Sequence, residues 1–416
     1  MNRQQILAEA DRCVKCGLCL PHCPTYRITR DEGDSPRGRI ALMQAWIGAA
    51  VESPRVHWHL DRCLGCQACE SACPSGVKYG QMIDSVRAQQ PHWLSLWRRW
   101  CLMLLSRLPY YRSSRMLLRI YHNIGLRSLL QRAGGDWLRR LNQLLPNLEE
   151  SPSLHSHYPA VPPLNGSVAL FTGCVGRIAD LPALLASIRL LTLLGFAVEV
   201  PEQQTCCGAL HQHNGWPDTA RQLAATNRRI FDALEVDAIL YTASGCGIQL
   251  LEYAKYGQSL STPVMDICSF LADSGQLDRL HLAPLKQKVL LHHPCSSRRI
   301  ADGGNSVVRL LRRIPDIQLR SLPREGCCGA AGNYLLLQPA MADRLRQTII
   351  EQIEPEMPEI LATTNTGCAL HLTAGLSLTH PAIRVIHPVQ LLSQQLNGNL
   401  DRLECDEQNS CPDGID

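Results

Sequence analysis

The stretches "CVKCGLCLPHCP" and "CLGCQACESACP" place cysteines at Cys13, Cys16, Cys19 and Cys23, and again at Cys63, Cys66, Cys69 and Cys73. Each run has the form C-x2-C-x2-C-x3-C-P, closing on Pro24 or Pro74. Three thiolates at this spacing can surround one corner of an iron–sulfur cubane, while the fourth reaches across to a second cluster. The pattern therefore assigns Cys13, Cys16, Cys19 and Cys73 to one [4Fe–4S] cluster, and Cys63, Cys66, Cys69 and Cys23 to another. Pro24 and Pro74 are expected to turn the chain away after the distal ligand. Zinc or disulfides are the alternatives, but a doubled pattern of this kind is specific to clusters.

A second cysteine system begins with an oddity. "REGCCGAAGNY" sets Cys327 directly beside Cys328. Adjacent α-carbons lie about 3.8 Å apart, below the usual minimum of about 4.4 Å for a disulfide, so a bond between the two would be strained. "QTCCGAL" repeats the pair at Cys206 and Cys207, 121 residues earlier. Cys174 in "FTGCVG" and Cys295 in "HHPCSS" share the 121-residue offset, and Cys246 and Cys368 are 122 apart. Each half therefore carries a cysteine, an adjacent pair and a fourth cysteine: a duplicated four-thiolate site that suits a cubane or a zinc ion.

The elements that must position these thiolates can be read around them. "SVALFTGC", "DAILYTASGC", "KVLLHHPC" and "EILATTNTGC" are short apolar runs that each end at a cysteine. Helical patterns such as 219–234 and 340–351 lie between them. Strands alternating with helices predict parallel sheets, with the cysteines just past the strand carboxyl ends, where open α/β sheets place ligands. Gly208 and Gly329 would let the backbone pass close to whatever the pairs hold. The chain is thus read as mixed: a mainly helical N-terminal cluster domain (1–90), a connector (91–165), two duplicated α/β modules (166–283 and 284–400) and an acidic tail (401–416).

The repeat also demotes other candidates. Cys268 falls opposite Val389 and reads as a small buried apolar residue; Cys101, Cys405 and Cys411 receive no function. His211, His213, His292, His293 and His371 lie near the motifs without matched partners across the repeats, and are expected to be ordinary loop histidines.

Between the two systems, residues 92–146 carry ten arginines against the single acid Asp136, with Trp93, Trp97, Trp100, Tyr110 and Tyr111 among many leucines. This composition fits either an interfacial membrane contact or a helical pair packed on protein. The net charge of +4 is too small to imply nucleic acid binding, and no nucleic-acid fold signature accompanies the arginines. The polar Met1–Ala10 start predicts no signal peptide, and no apolar run is long enough to span a bilayer. The expected location is cytoplasmic, with peripheral contact on the inner membrane as an option. Twenty cysteines in a reducing compartment point to metal or redox chemistry.

"DRCVKCGLCLPHCPTYRITRDEGDSPRGRIALM" and "LDRCLGCQACESACPSGVKY" closely resemble the bis-[4Fe–4S] ferredoxin-like part of bacterial glycolate oxidase iron–sulfur subunits. The two later repeats resemble the CCG domains of the same subunits, which also occur in heterodisulfide reductases and in lactate- and glycerol-3-phosphate-oxidising complexes. The resemblance implies an electron-transfer subunit that takes electrons from an FAD-bearing partner oxidising a 2-hydroxy acid and passes them toward respiratory quinone. It implies activity only within a complex, and no catalytic residue on this chain. Lactate or glycerol-3-phosphate oxidation, and a zinc scaffold without electron transfer, are the alternatives. No glycine fingerprint for FAD is visible here. The repeats depart from the heterodisulfide reductase pattern: "GCGIQ" and "GCALH" carry one cysteine where that pattern ends in C-x-x-C. In the landmark "DSPRGRI", Asp34 or Ser35 is the expected helix N-cap, with Pro36 at the first helical position.

Overall fold

The computed structural model describes residues 1–90, 121, 135–145, 153–300, 302–323 and 326–397. Cys101, Cys405, Cys411, the acidic tail and most of the basic stretch lie outside the described residues.

The N-terminal part is helical: Arg3–Asp11, Pro24–Thr29, Pro36–Ile47, Pro54–Asp61, Ala68–Ser71 and Tyr79–Gln89. Proline opens three of these helices, where its missing N–H removes no intrahelical bond. Pro24 therefore starts a helix, whereas Pro74 sits in a turn. Ser35, not Asp34, caps the third helix, its hydroxyl accepting from the Gly38 N–H at 2.9 Å. Ile6, Ile40, Met43, Leu60, Met82 and Ile83 form the core that holds these short helices together.

Two α/β modules follow. The first contains β1 (His157–Tyr158), β2 (Gly166–Phe171), β3 (Phe196–Glu199), β4 (Ala238–Tyr241) and β5 (Val264–Asp266); the second contains β6 (Lys288–His292), β7 (Gln318–Ser321), β8 (Ile360–Thr363) and β9 (Arg384–Ile386). The sheet orders are β1-β3-β2-β4-β5 and β7-β6-β8-β9. All pairings are parallel except β1 with β3, an antiparallel strand added at the edge. Without β1, the two sheets share one topology. Strands β4 and β8 are buried along their length, as parallel strands covered on both faces must be.

The modules are joined as a symmetric dimer would be. Helix Leu181–Leu193 of the first packs on helix Pro388–Gln394 of the second, and helix Ile267–Asp273 of the first packs on helix Asn305–Leu311 of the second. Each contact pairs the opening helix of one repeat with the closing helix of the other, which is the reciprocity of a two-fold axis. One apolar core runs through the seam, from Leu184, Leu191 and Leu271 to Leu310, Leu311 and Leu391. Each fully buried leucine there contributes roughly 1.5–3 kcal/mol. Cys268 lies in this core.

Candidate metal centres

In each N-terminal run the chain curls through left-handed backbone at the second and fourth positions after the first cysteine: Lys15 and Gly17 in one, Gly65 and Gln67 in the other, with φ between 55° and 85°. Lys15 and Gln67 adopt a conformation that residues other than glycine seldom take. The matched curl folds three thiols of each run toward one point. Cys13, Cys16, Cys19 and Cys73 line a common cavity together with Cys69, so the last cysteine of the second run reaches the first three of the first. Conversely, burial pushes the Cys69 thiol up, and the neighbouring Cys66, Cys63 and Cys23 push in the same direction. Cys23 thus faces the second run. Cys16 is exposed, while Cys23, Cys63 and Cys69 are buried.

Donors reach the inner set. Tyr79 Oη donates to Cys63 Sγ at 3.5 Å, and the Gly65 N–H points to the same sulfur at 3.4 Å. The Thr25 hydroxyl lies 3.3 Å from Cys23 Sγ, and Arg39 Nη1 lies 4.0 Å from it. Arg39 is fully buried. It donates to the His59 carbonyl at 2.7 Å and to Thr25 Oγ1 at 3.0 Å, and pairs with Asp34 at 3.3 Å. Arg62 pairs with the other Asp34 oxygen at 2.8 Å, and His59 Nδ1 lies 3.1 Å from Asp34 Oδ1. Asp34 is therefore the hub of a buried ion network.

The module sites lie at the point where strand order reverses, between β2 and β4 and between β6 and β8. In the first, Cys174 follows β2 and Cys246 sits in the opening turn of helix Ser244–Leu251 after β4. Cys174 Sγ is 3.5 Å from Cys206 Sγ, and Cys246 stands beside Cys207. In the second, Cys295 stands beside Cys327, and Cys328 Sγ is 2.8 Å from Cys368 Sγ. Each site is thus a row of four thiols in the same order. The structure brings together all sixteen candidate cysteines in these four groups.

Gly208 and Gly329 follow the pairs with φ of 90° and 81°, and each N–H points to a pair sulfur at 3.4 Å. Their small size serves a different neighbour from the one expected. A Cβ at Gly329 would stand 2.5 Å from the Ala342 carbonyl oxygen, so the constraint comes from the packed helix Pro339–Ile353.

The histidines need correction. His292 lies in β6, His211 and His213 in helix Ala209–His213 and His371 in helix Thr366–Thr379, so these four do not sit in loops. His293 does follow β6 in a loop, and it is buried, as are His211, His292 and His371. Their apolar surroundings pull them in: burial pushes the His292 pKa down to about 4 and lowers that of His371. His371 Nδ1 meets the Cys328 carbonyl at 2.7 Å. In the first module Asn227 and Tyr253 hold the equivalent pair, at 3.1 Å from the Cys206 carbonyl and 3.0 Å from the Cys207 carbonyl. None of these three positions carries a motif signal. For His213, burial opposes the charged form, but the adjacent Asp84 carboxylate outweighs it and raises the pKa.

The two cysteine systems meet unequally. Leu64 shares an apolar cluster with Cys327, Cys328 and Cys368, and Ile28, Cys66 and Cys295 pack against it. Tyr334 Oη donates to the Arg62 carbonyl at 2.9 Å. The first module's cysteines sit in another cluster, which among the described residues contains nothing from the N-terminal unit. That module touches the N-terminal unit through polar contacts, such as His213 with Asp84 at 3.1 Å and Arg87 with the His213 carbonyl at 3.2 Å.

A tetrahedral zinc site, with Zn–S near 2.3 Å, brings its sulfurs to about 3.8 Å from one another. Among the described residues, the three-donor set gathered within 4.8 Å is Asp31, Asp34 and His59, and the guanidiniums of Arg39 and Arg62 on Asp34 oppose a cation there. Among the described residues, no three cysteine sulfurs all lie within 4.8 Å of one another, although pairs in the modules stand at 3.5 and 2.8 Å.

The part of the basic stretch that is described packs on protein. Helix Asp136–Leu144 lies against helix Thr366–Thr379, with Arg140 on the Leu335 carbonyl at 2.7 Å and on Asp343 at 2.5 Å. No described helix is long and apolar enough to cross a membrane.

Comparison with known proteins matches residues 9–77 to a family described as a 4Fe-4S dicluster domain, and residues 168–251 and 289–373 to one described as a cysteine-rich domain. A probable glycolate oxidase iron-sulfur subunit of Bacillus subtilis is 31% identical, over 92% of this chain and 93% of that protein. The glycolate oxidase iron-sulfur subunit of Escherichia coli is 30% identical, over 90% and 93%. One subunit of the heterodisulfide reductase of Methanosarcina barkeri is 23% identical, over 94% and 95%. A crystal structure of a hypothetical protein from Helicobacter pylori shares the fold, with a TM-score of 0.54 at 10% identity, over 97% of this chain and 78% of that one.

Proposed function

Since this chain belongs to the family of glycolate oxidase iron–sulfur subunits, we propose that it carries electrons from an FAD-bearing partner that oxidises glycolate toward the respiratory quinone pool. The observation that carries this reading is the meeting of the two cysteine systems, with Cys66 and Cys295 packed against one apolar cluster. Neighbouring ligand sets in a dry setting suit electron transfer, and a scaffold would not need them.

Cys13, Cys16, Cys19 and Cys73 would hold one [4Fe–4S] cluster, and Cys23, Cys63, Cys66 and Cys69 the other. Cys174, Cys206, Cys207 and Cys246, and Cys295, Cys327, Cys328 and Cys368, would hold a further centre in each module. Bound clusters supply one-electron carriers. The chain's own part is to space the thiolates, exclude water from the inner sets and set the charge around them. The domain limits 1–90, 166–283 and 284–400 follow these groups. The inner-membrane contact through 92–146 rests on its arginines and aromatic residues, although Arg140 itself packs on protein.

The test is anaerobic co-purification with the flavoprotein. Glycolate should bleach the flavin and reduce clusters on this chain, with about eight or more irons bound per chain. Far fewer irons would sink the cluster assignment. Bleaching by lactate or glycerol-3-phosphate in place of glycolate would move the substrate to the alternative reading.

A further inference from the structure

The helix that begins at Pro36 sends two arginines to the two cysteine runs. Arg37 donates to the Lys15 carbonyl at 3.0 Å, inside the first run, and is held by Glu32 at 2.6 Å near the surface. Arg39 turns the other way, into the interior, and ends beside Cys23 Sγ. Gly38 between them is required: a Cβ there would collide with the Glu32 carbonyl, so the first turn can seat both arginines only with glycine at this point.

The charge count around Asp34 is uneven. Arg39 and Arg62 bring two permanent positive charges to one carboxylate, before any contribution from His59. Asp31 also places a carboxylate oxygen within 4.8 Å of Asp34 and His59, but it is exposed and screened by water, so the charge of the buried groups beside the inner thiolates is net positive. Cysteine thiolates around iron carry net negative charge, which grows on reduction. The potential of such a centre is set by net charge, by hydrogen bonds to the sulfurs and by solvent exposure.

We propose that Arg39, held by Asp34, is a positioning residue that raises the reduction potential of the centre at Cys23, Cys63, Cys66 and Cys69. This rests on the ligand assignment above. Its guanidinium offsets the negative charge gained on one-electron reduction at these thiolates, and it fixes the Thr25 hydroxyl that faces Cys23 Sγ. Asp34 moderates that field while orienting both arginines. The "DSPRGRI" landmark thereby gains a function: it delivers a buried cation to the inner centre and a solvated one to the outer.

The test is a potentiometric titration of the full-length holoprotein, followed by electron paramagnetic resonance. Arg39→Gln should shift the midpoint of one cluster downward while iron content is kept. Asp34→Asn, which removes a negative charge and keeps the side chain's shape, should shift the same midpoint upward. Arg37→Gln should leave that midpoint in place. An iron-replete Arg39→Gln with an unchanged midpoint overturns the proposal while the ligand assignment stands. If Arg39→Gln fails to retain iron, Asp34→Asn decides, and an unchanged or lowered midpoint in that variant overturns the proposal. Wild-type protein with far fewer than about eight irons would instead overturn the ligand assignment.

Discussion

Asn214 and Asn333 hydrogen-bond to each other through both side-chain amides, at 3.1 and 3.0 Å. They are 119 residues apart, and each follows the cysteine pair of its own repeat. A reciprocal pair of like residues is what a two-fold axis produces where it passes through a contact. The amides thus sit where the two modules meet. Asn214→Ala and Asn333→Ala should each destabilise the protein by about 1–2 kcal/mol, because each removes both bonds of the pair, although Asn214 Nδ2 keeps its bond to the Leu210 carbonyl at 2.6 Å. The double variant should lose clearly less than the sum of the two. Urea unfolding of the four proteins reads this directly, and strict additivity would show that the pair is not coupled.

The two cysteine systems should be separable by substitution. Cys16→Ser removes an outer thiolate of the first run and should eliminate one cluster signal. Cys328→Ser should leave the N-terminal cluster signals intact and stop glycolate-dependent quinone reduction in the reconstituted complex. Normal turnover in Cys328→Ser would confine the modules to a structural role.

Gly329→Ala should be more damaging than Gly208→Ala. Both positions have left-handed backbone, but the added Cβ would stand 2.5 Å from a backbone oxygen at Gly329 and 3.2 Å at Gly208. Left-handed strain alone costs about 1–3 kcal/mol, and the collision at Gly329 adds to it. Thermal unfolding should show a larger fall in midpoint for Gly329→Ala; equal falls would mean that helix Pro339–Ile353 yields freely.

Asp266 and His387 cap equivalent helices in the two repeats, and only the acid faces a second carboxylate. Burial, with Asp302 adding to it, pushes Asp266 up to about 7, against the opposing effect of the Cys268 and Ser269 N–H groups. Asp266 Oδ2 is buried without a hydrogen-bond partner. An unfolded aspartate titrates near about 3.9, so the folded chain keeps a proton that the unfolded chain releases. The stabilisation is complete below about pH 4 and is lost as pH rises to about 7. Asp266→Asn keeps the acceptor that Cys268 uses at 2.9 Å and removes the titration. It should exceed the parent in stability at pH 8 by roughly 1–3 kcal/mol and lose that advantage at pH 4. Parallel pH profiles for the two proteins would refute this.

The modules and their thiolate groups were legible in the sequence because the repeat writes itself at a fixed offset. The apolar runs before each cysteine became β2, β4, β6 and β8, and the helix expected over 340–351 extends over Pro339–Ile353. The seam was not legible. Helix Leu181–Leu193 is apolar on most sides, so its pattern cannot say that one face meets the other repeat. The asparagine pair escaped because the spacing from the cysteine pair differs between the repeats, which breaks the 121-residue match. His371 escaped for a related reason: its helix is apolar almost throughout, and a lone histidine there shows no preferred face. Asp34 was one of two candidate caps, and only the fold shows Ser35 taking the cap while Asp34 binds two arginines.

A free two-fold dimer offers every surface twice, and any substitution in it appears at both copies. Tethering the two modules in one polypeptide removes that constraint. The face around Cys295 and Cys327 could acquire a bound ferredoxin-like unit while its counterpart around Cys174 and Cys206 did not, fixing one such unit to each pair of modules without any need for subunit counting. It also freed the second face to change on its own, so that whatever meets the chain there need not resemble what meets it at the first.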